Sequence, residues 1–292
     1  MSIDVHQMVT DRIIAALEAG TAPWAQPWIG RDGALKHRDG KPYSLLNQLL
    51  LGREGEYLSY REAQECGGNV KKGAKGRIVV FYKMLKCEDG VDDNGEATYK
   101  TIPLLRYYTV FHIDDCENVK PKWTNKTFGT QTIADAQDIF DEYKTRCKVR
   151  TLHETKNRAF YRPSEHAINL PDIDQFKSAE EYYSTAFHEA VHSTGHHTLL
   201  NRFPADAMAA AFGSESYSKE ELVAEIGACA LLNRLGIETE GTFRNSAAYI
   251  KGWLYALKNE KSLIVSAANK AQKAVNLILN LDNDAQEEYT VT

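Results

Sequence analysis

The sequence has few cysteines, and their spacing argues against two common structural cross-links. Five cysteines occur in 292 residues, the number is odd, and no Cys-x-x-Cys pair is present. A disulfide framework or a cysteine-ligated zinc site would need paired, closely spaced cysteines. We therefore expect free thiols and a cytoplasmic location, where the environment is reducing.

Long hydrophobic runs are also lacking, which excludes a membrane-spanning helix in this sequence. No apolar stretch approaches the roughly 18 residues that a bilayer requires. Residues 1–20 carry Asp4, Asp11 and Glu18 and lack the basic start and apolar centre of a secretory signal. Hydrophobic residues make up 43% and charged residues 26% of the chain, which is typical of a globular protein.

The chain has no excess of positive charge that would attract nucleic acid to its whole surface. Its formal net charge is −5. Residues 1–125 carry 17 basic and 17 acidic side chains, so this part is neutral and the negative charge lies after it. Any binding of nucleic acid would therefore depend on a local cluster of basic residues.

A polar segment near the middle divides the sequence into two predicted domains. Residues 117–130 contain a proline and a glycine and show no helical or strand periodicity. We predict an α+β protein with a mixed α/β domain (1–125), a mostly helical domain with a small β-sheet (126–282) and a disordered tail (283–292).

Hydrophobic periodicity and capping residues predict the main elements of both domains. Predicted helices lie near residues 5–17, 44–51, 59–68, 133–147, 178–197 and 218–236, and two more lie between 246 and 280. Residues 76–85 and 104–113 predict two strands joined by an acidic, solvated loop at 87–98. Short stretches between 148 and 171 predict a small meander. Its last strand, residues 166–171, would suit an extended peptide if it lay at a sheet edge.

The stretch HEAVHSTGHH, residues 188–197, contains two histidines four residues apart. On a helix, His188 and His192 project side by side, and their imidazole nitrogens can share one Zn²⁺ ion. Glu189 can reach a water on that ion without binding the metal itself. The pattern predicts two ligands and a general base, and a third protein ligand must come from elsewhere.

Two patterns are considered for the third ligand. One continues the motif as HExxHxxGxxH, but the last position here is Thr198, which leaves His196 and His197 out of register. His196, about one turn beyond His192, remains a weaker candidate ligand. The other uses a carboxylate from a second helix, and the apolar segment SKEELVAEIGACALL provides it. We assign Glu221 as the ligand and Glu225 as an acceptor from a ligand histidine. Glu225 or Glu220 remains an alternative ligand, because Ser218 and Glu221 also match a capping box.

These motifs resemble the ArdC-type antirestriction proteins of conjugative plasmids and other mobile elements. The similarity rests on HEAVHSTGH followed by EELVAEIGA, and on DRIIAALEAGTAPWAQPW, GKPYSLLNQLLL, YREAQECGGNVKKGAKGRIVVFYK and YTVFHIDDCENV in the first half. It covers nearly the whole chain. The resemblance implies an N-terminal domain that binds single-stranded DNA and a C-terminal zincin-like metallopeptidase domain.

The N-terminal half contains residue types that suit single-stranded DNA. Residues 67–86 hold six basic residues and no acidic one, and the first four lie in a glycine-rich turn. Aromatic rings stack on bases while basic side chains pair with phosphates, without reading the sequence. Together with the resemblance, this pattern predicts DNA contacts by Trp24, Trp28, Tyr43, Asn47, Tyr60, Lys71, Lys72, Lys75, Arg77 and Tyr82.

The expected function combines both halves. Zn²⁺ held by His188, His192 and Glu221 would activate water for peptide hydrolysis with Glu189 as the base, although Mn²⁺ or another divalent ion also suits these ligands. Tyr217, Tyr183 and His196 are candidate oxyanion donors. The partners would be single-stranded DNA entering during conjugation and a protein of the host restriction machinery. Two alternatives remain: a DNA-binding protein with a purely structural metal site, and a protease whose N-terminal domain binds a protein.

Overall fold

A computed structural model describes residues 4–25, 33–91, 96–123, 132–154, 158–203, 215–237 and 247–281. The predicted tail at 283–292 lies outside these ranges. In the described residues the helices are α1 (Val5–Glu18), α2 (Leu45–Leu51), α3 (Tyr60–Glu65), α4 (Thr132–Cys147), α5 (Ala179–Ser193), α6 (Glu215–Leu235), α7 (Ala247–Asn259) and α8 (Leu263–Ile278). The strands are β1 (Ala34–Lys36), β2 (Gly55–Leu58), β3 (Asn69–Val70), β4 (Arg77–Val91), β5 (Ala97–His112), β6 (Cys116–Glu117), β7 (Arg150–Leu152), β8 (Phe160–Arg162) and β9 (Ala167–Asn169). None of the described helices is long and apolar enough to cross a membrane.

Local sequence signals explain where several helices begin. The Asp4 side chain accepts a hydrogen bond from the backbone N–H of Gln7 and caps α1. Ser59 and Glu62 form a complete capping box at the start of α3. The predicted start of α6 at Ser218 is wrong, because the helix already begins at Glu215. Glu221 therefore lies two turns inside α6 and is not part of an N-terminal capping box.

The N-terminal sheet has the order β1-β2-β5-β4 and is dominated by the long antiparallel hairpin of β4 and β5. The pairing runs from Arg77 opposite Val110 to Val91 opposite Ala97. The acidic loop predicted at 87–98 is therefore much shorter than expected. Cross-strand contacts explain the difference, because Lys100 forms an ion pair with Asp89 at 2.6 Å and other residues of this stretch continue the ladder.

The C-terminal sheet is mixed, so the predicted meander is wrong. Its order is β7-β9-β8, with β9 parallel to β7 and antiparallel to β8. All three residues of β9 are buried, which a central position between two paired neighbours explains. The stretch proposed to bind a peptide at a sheet edge is therefore the central strand, and β8 is an edge strand that packs against α5.

Both halves of the chain contribute to one large hydrophobic core. Buried residues of α1 and α2 pack in the same cluster as buried residues of α5, α6 and α8. Trp24 meets Trp253 of α7 edge to face, with ring centroids 5.4 Å apart. The Thr10 hydroxyl donates to the carbonyl of Lys261 at 2.7 Å, and the Leu45 N–H donates to Gln272 at 2.8 Å. The architecture is α+β as predicted, with a substantial packed surface between the two halves.

Candidate metal centre and nucleic-acid surface

Helix α5 carries the two histidines of the HExxH motif one turn apart on its buried side. The Nε2 atoms of His188 and His192 lie 3.2 Å from each other. Ala186, Phe187, Ala190 and Val191 are fully buried around them, so the packing of α5 fixes the direction of both imidazoles. Such a helix presents two nitrogen donors to one point in space.

Helix α6 brings Glu221 to the same point. Glu221 Oε1 lies 3.2 Å from His192 Nε2, and Glu221 Oε2 lies 3.5 Å from His188 Nε2. The two helices approach closely at Gly227, where an added Cβ would come within 2.9 Å of the Val191 side chain. A side chain at this glycine would push α6 away from α5 and so withdraw Glu221 from the imidazoles.

Two further carboxylates of α6 lie behind the histidines. Glu225 Oε1 is 3.7 Å from His188 Nδ1, and its role as an acceptor from this histidine stays a prediction. Glu220 Oε1 is 3.6 Å from His192 Nδ1 and also receives 2.6 Å and 3.3 Å hydrogen bonds from Arg202 to its two oxygens. Arg202 is itself fixed by bonds to the Val191 carbonyl and the Thr194 hydroxyl. Each imidazole thus has its own carboxylate.

Sequence reasoning missed the roles of Glu220 and Arg202. It considered Glu220 only as an alternative ligand, and a less favoured one because Glu220 lies on a different face of α6 from Glu225. In the structure the two carboxylates serve different histidines, so they do not need a common face. A single arginine following the HExxH helix was the available signal for Arg202.

The charges of this cluster shift the pKa values of its members in opposite directions. Burial alone would lower the pKa of His192, but hydrogen bonds with Glu220 and Glu221 outweigh it and raise that pKa to about 10. Burial would raise the pKa of Glu221, yet the two imidazoles hold it well below its usual range. The carboxylates of Glu189, Glu220, Glu221 and Glu225 therefore surround one guanidinium and two imidazoles, an environment that favours a bound cation.

The donor set fits a divalent metal. One donor atom from each of His188, His192 and Glu221 lies within 4.8 Å of the others, and these three form the one such cluster among the described residues. A tetrahedral ion with bonds of about 2.0–2.1 Å separates its ligands by about 3.3–3.4 Å. The separations of 3.2–3.5 Å between the donor atoms agree with that spacing.

The remaining residues considered for this site have different surroundings. Glu189 is buried beside His192 and makes no hydrogen bond to the described residues, so its carboxylate is available to a bound water. The His196 ring stacks on His166 with centroids 4.0 Å apart. The Tyr183 hydroxyl donates to Gln137, and burial raises its pKa to about 12. The side chain of Tyr217 lies outside the described part.

Three residues predicted to contact DNA are instead buried. Trp24 is 1% exposed and packs on Trp253, and Tyr43 lies edge to face with Tyr57. Asn47 donates to the carbonyl of Val80 and accepts from its N–H, both at 2.8 Å. These three side chains therefore stabilise the fold. Trp24 and Tyr43 pack against other aromatic rings in the interior, and the Asn47 amide binds the backbone of β4. Trp28 lies outside the described residues.

The other predicted contacts are exposed apart from the half-buried Arg77, and they lie on different elements. Tyr60, 52% exposed, begins α3, whereas Tyr82 lies in the middle of β4. Lys71 donates to the carbonyl of Asp114 at 2.7 Å, and Arg77 donates to that of Leu51 at 2.5 Å. Lys72 and Lys75 are exposed in the turn that leads to β4.

Sequence reasoning missed the outer parts of β4 and β5, residues 82–91 and 97–106, which we call the ribbon. Lys86 lies over the Tyr99 ring at 4.3 Å. The described residues of both strands pair only with each other here, and most of the side chains whose burial is described are exposed. Exposed aromatic, aliphatic and basic residues on or beside the ribbon include Tyr82, Lys83, Lys86, Tyr99, Ile102, Arg106 and Tyr107.

Comparison with solved structures connects this geometry to known proteins. The crystal structure of the antirestriction protein ArdC from plasmid R388, in a metal-free form, has a TM-score of 0.76 and 38% identity, covering 96% of this chain and all of that one. The Mn(II)-bound structure of ArdC has a TM-score of 0.75 and 37% identity, covering 95% of this chain and 98% of that one. The chain therefore belongs to the ArdC family of antirestriction proteins.

Sequence families and curated relatives agree with membership of the ArdC family. Residues 3–111 match the N-terminal domain of anti-restriction factor ArdC, and residues 136–270 match a zincin-like metallopeptidase family. Two Escherichia coli proteins named DNA primase TraC are 33% identical over 97% and 98% of this chain, which spans only 20% and 28% of their length. The protein y4eC of Sinorhizobium fredii is 28% identical over 97% of this chain and 94% of its own. The zincin-like match contains all three members of the metal cluster.

Proposed function

We propose that this member of the ArdC family binds single-stranded DNA through its N-terminal half and hydrolyses peptide bonds at a zinc site in its C-terminal half. The observation that carries the proposal is the convergence of His188, His192 and Glu221 at 3.2–3.5 Å, with Glu225 and Glu220 behind the imidazoles. Two imidazoles and one carboxylate favour Zn²⁺, while the Mn(II) of the R388 protein makes Mn²⁺ the second choice.

The chain's own residues supply the proton transfers of hydrolysis. A bound divalent ion would polarise the substrate carbonyl and acidify a water molecule. Glu189 accepts the proton of the attacking water and returns it to the departing amide nitrogen. Glu225 and Glu220 lie beside the Nδ1 atoms of His188 and His192 and would accept their N–H groups, which would leave both Nε2 lone pairs for a metal ion.

An extended substrate would lie along an edge of the C-terminal sheet. Strand β8 is the suitable edge, because it packs against α5, which carries Glu189. Its free backbone groups would pair with the substrate backbone, and side-chain preferences would come from the residues on either side. The proposed substrate class is a protein of the host restriction machinery, met in the cytoplasm.

The ribbon and the lysine turn before β4 are the proposed DNA surface. Tyr99 and Tyr107 offer rings to unstacked bases, while Lys83, Lys86 and Arg106 offer charge to phosphates. The name DNA primase borne by two relatives also fits a domain that works on DNA. Binding would be independent of sequence and would cover the incoming single strand during conjugation.

Hydrolysis is tested with the full chain loaded with zinc and with unfolded casein as the probe. Wild type should cleave casein, and Glu189→Gln should retain the ion but cleave at least about 100-fold more slowly, as expected for loss of a general base. If wild type is inactive while removal of the ion unfolds the protein, the metal site is structural and the peptidase proposal fails.

DNA binding is tested separately by salt titration with a fluorescent oligothymidine and its duplex. The full chain should prefer the single strand and bind more weakly as salt rises. The double variant Lys83→Ala/Arg106→Ala should weaken binding by about tenfold through loss of two phosphate contacts. The matched variant Lys72→Ala/Lys75→Ala measures how much the lysine turn before β4 contributes to the affinity for DNA. Equal affinity for both DNA forms would favour a protein partner for the N-terminal half.

A further inference from the structure

Three side chains of the N-terminal half, outside the metal centre, form a row of thiol, imidazole and carboxylate. Cys66 Sγ lies 3.7 Å from His37 Nε2. The other ring nitrogen, His37 Nδ1, donates to Glu56 Oε2. Cys66 follows α3, His37 follows β1 and Glu56 is in β2, so three separate elements converge on this row.

The imidazole and the carboxylate of this row are fixed by the fold. His37 and Glu56 are 2% and 3% exposed. The second carboxylate oxygen, Glu56 Oε1, accepts the backbone N–H groups of Lys122 and Trp123 at 2.8 Å each. The Trp123 indole donates to the His37 carbonyl at 2.9 Å. Glu56 can only accept from Nδ1–H, and this leaves the Nε2 lone pair directed at the sulfur.

Cys66 differs from the other four cysteines in both exposure and partner. Cys116, Cys147 and Cys229 are buried, and burial raises the pKa of each of these thiols. Cys87 is half-buried in β4, and its sulfur has no hydrogen-bond partner among the described residues. Cys66 is exposed and adjoins a histidine that can take its proton.

The backbone around Cys66 indicates which reaction the thiol suits. Acyl transfer needs free N–H groups to hold an oxyanion. The N–H groups of Cys66, Gly67 and Gly68 already donate to the carbonyls of Glu62, Gln64 and Ala63. Thiol–disulfide exchange needs no oxyanion site, only a base and an accessible sulfur.

We propose that Cys66 is a modification site that forms mixed disulfides with small-molecule disulfides, with oxidised glutathione as the representative reagent. His37 Nε2 takes the thiol proton as Sγ attacks one sulfur of the reagent. The new bond joins Sγ to that sulfur, the reagent's sulfur–sulfur bond breaks, and its electron pair leaves on the second sulfur. That thiolate then takes the proton from His37. The reaction therefore consumes one thiol and one disulfide and forms one thiol and one mixed disulfide.

The proposal is tested on the native full chain with oxidised glutathione, following each cysteine by peptide mass mapping over time. Cys66 should be modified at least about tenfold faster than Cys87, because of these two cysteines Cys66 alone has a base in contact among the described residues. In Glu56→Gln, the amide can still accept from Lys122 and Trp123, but its N–H₂ group makes His37 Nδ1 an acceptor. Nε2 then carries the proton, and the rate at Cys66 should fall by about tenfold with the rate at Cys87 unchanged.

Three outcomes would overturn the proposal. The first is modification of Cys66 no faster than Cys87 in wild type. The second is an unchanged Cys66 rate in Glu56→Gln while Cys116, Cys147 and Cys229 stay protected, which would show that the fold is intact and the row has no effect. The third concerns His37→Gln, a second variant that removes the base directly: a folded His37→Gln chain with the wild-type Cys66 rate would also contradict the proposal.

Discussion

Each carboxylate near the two imidazoles has its own contacts, so single substitutions should have graded effects. Glu221 reaches both Nε2 atoms, whereas Glu225 and Glu220 reach one Nδ1 atom each. Loss of a ligand removes a bond to the metal, while loss of a carboxylate behind a ligand only frees the imidazole to rotate.

We expect Glu221→Ala to abolish stable metal binding, and Glu225→Gln to weaken it by about 10–100-fold. Dialysis against a metal buffer, followed by measurement of bound zinc, gives both values. The control is Glu180→Gln at the start of α5, the helix that carries the two histidines, and this variant should bind zinc as wild type does. Equal affinities of Glu221→Ala and Glu225→Gln would show that Glu221 is not a ligand.

The pair of Arg202 and Glu220 should contribute to stability through its burial. The Arg202 side chain is 5% exposed, and its removal in Arg202→Met would leave the Glu220 carboxylate beside His192 with half of its partners. We expect a loss of about 2–3 kcal/mol in the free energy of unfolding, because a buried charge loses its counter-ion. Urea unfolding with a chelator present measures it.

The double variant Arg202→Met/Glu220→Gln should recover part of that loss, since no uncompensated carboxylate remains. Equal destabilisation in the single and double variants would mean that Arg202 acts through its contacts with Val191 and Thr194 alone.

Residue spacing predicted the metal cluster better than it predicted the DNA contacts. His188, His192 and Glu221 could be predicted because helical periodicity fixes which side chains share a face, and the resemblance supported the choice. Trp24 and Tyr43 could not be placed, because aromatic residues suit both a stacking surface and a core. Glu220 was missed because its role depends on how α6 packs across α5, which sequence periodicity does not describe.

The polar contact between α2 and β4 depends on the side-chain amide of Asn47. Asn47 of α2 makes both backbone hydrogen bonds to Val80, a residue buried in β4. Asn47→Leu keeps a similar volume but leaves one buried N–H and one buried carbonyl without a partner. We expect a loss of about 2–4 kcal/mol in the free energy of unfolding.

Chemical denaturation followed by circular dichroism checks the effect of Asn47→Leu. The matched control is Asn259→Ala on α7, where an exposed amide also donates to a backbone carbonyl, and where the change should cost less than about 0.5 kcal/mol. Similar losses at the two positions would contradict the role assigned to Asn47.

At the scale of elements, local signals predicted helices well and sheet order poorly. Asp4, Ser59 and Ser178 each cap the helix that the sequence predicted, because a cap acts within three residues. The order β7-β9-β8 depends on which strand the helices cover, and this is decided by contacts distant in sequence. The length of the β4–β5 hairpin was also underestimated, since charged residues paired across strands look like a loop in the sequence.

The packing between the two halves of the molecule determines whether either half can fold alone. Helix α1 packs on α7 and α8, and Trp24 packs on Trp253. Ion pairs between Asp4 and Lys261 and between Glu18 and Lys258 flank this contact. The two family matches divide the chain into two domains that belong to different families. The buried side chains of these two domains nevertheless form one shared hydrophobic core.

A fragment ending at residue 125 should therefore fold poorly, although it contains the whole N-terminal family match. Separation would expose Val9, Ile13, Leu17 and Trp24, and each large apolar side chain left in water costs about 1.5–3 kcal/mol. We expect the full chain to show one cooperative thermal transition by circular dichroism and the fragment to show none. A fragment that melts cooperatively with its helices intact would show that β4, β5 and α2 suffice for an independent domain, and that the shared core is a docking surface rather than a condition of folding.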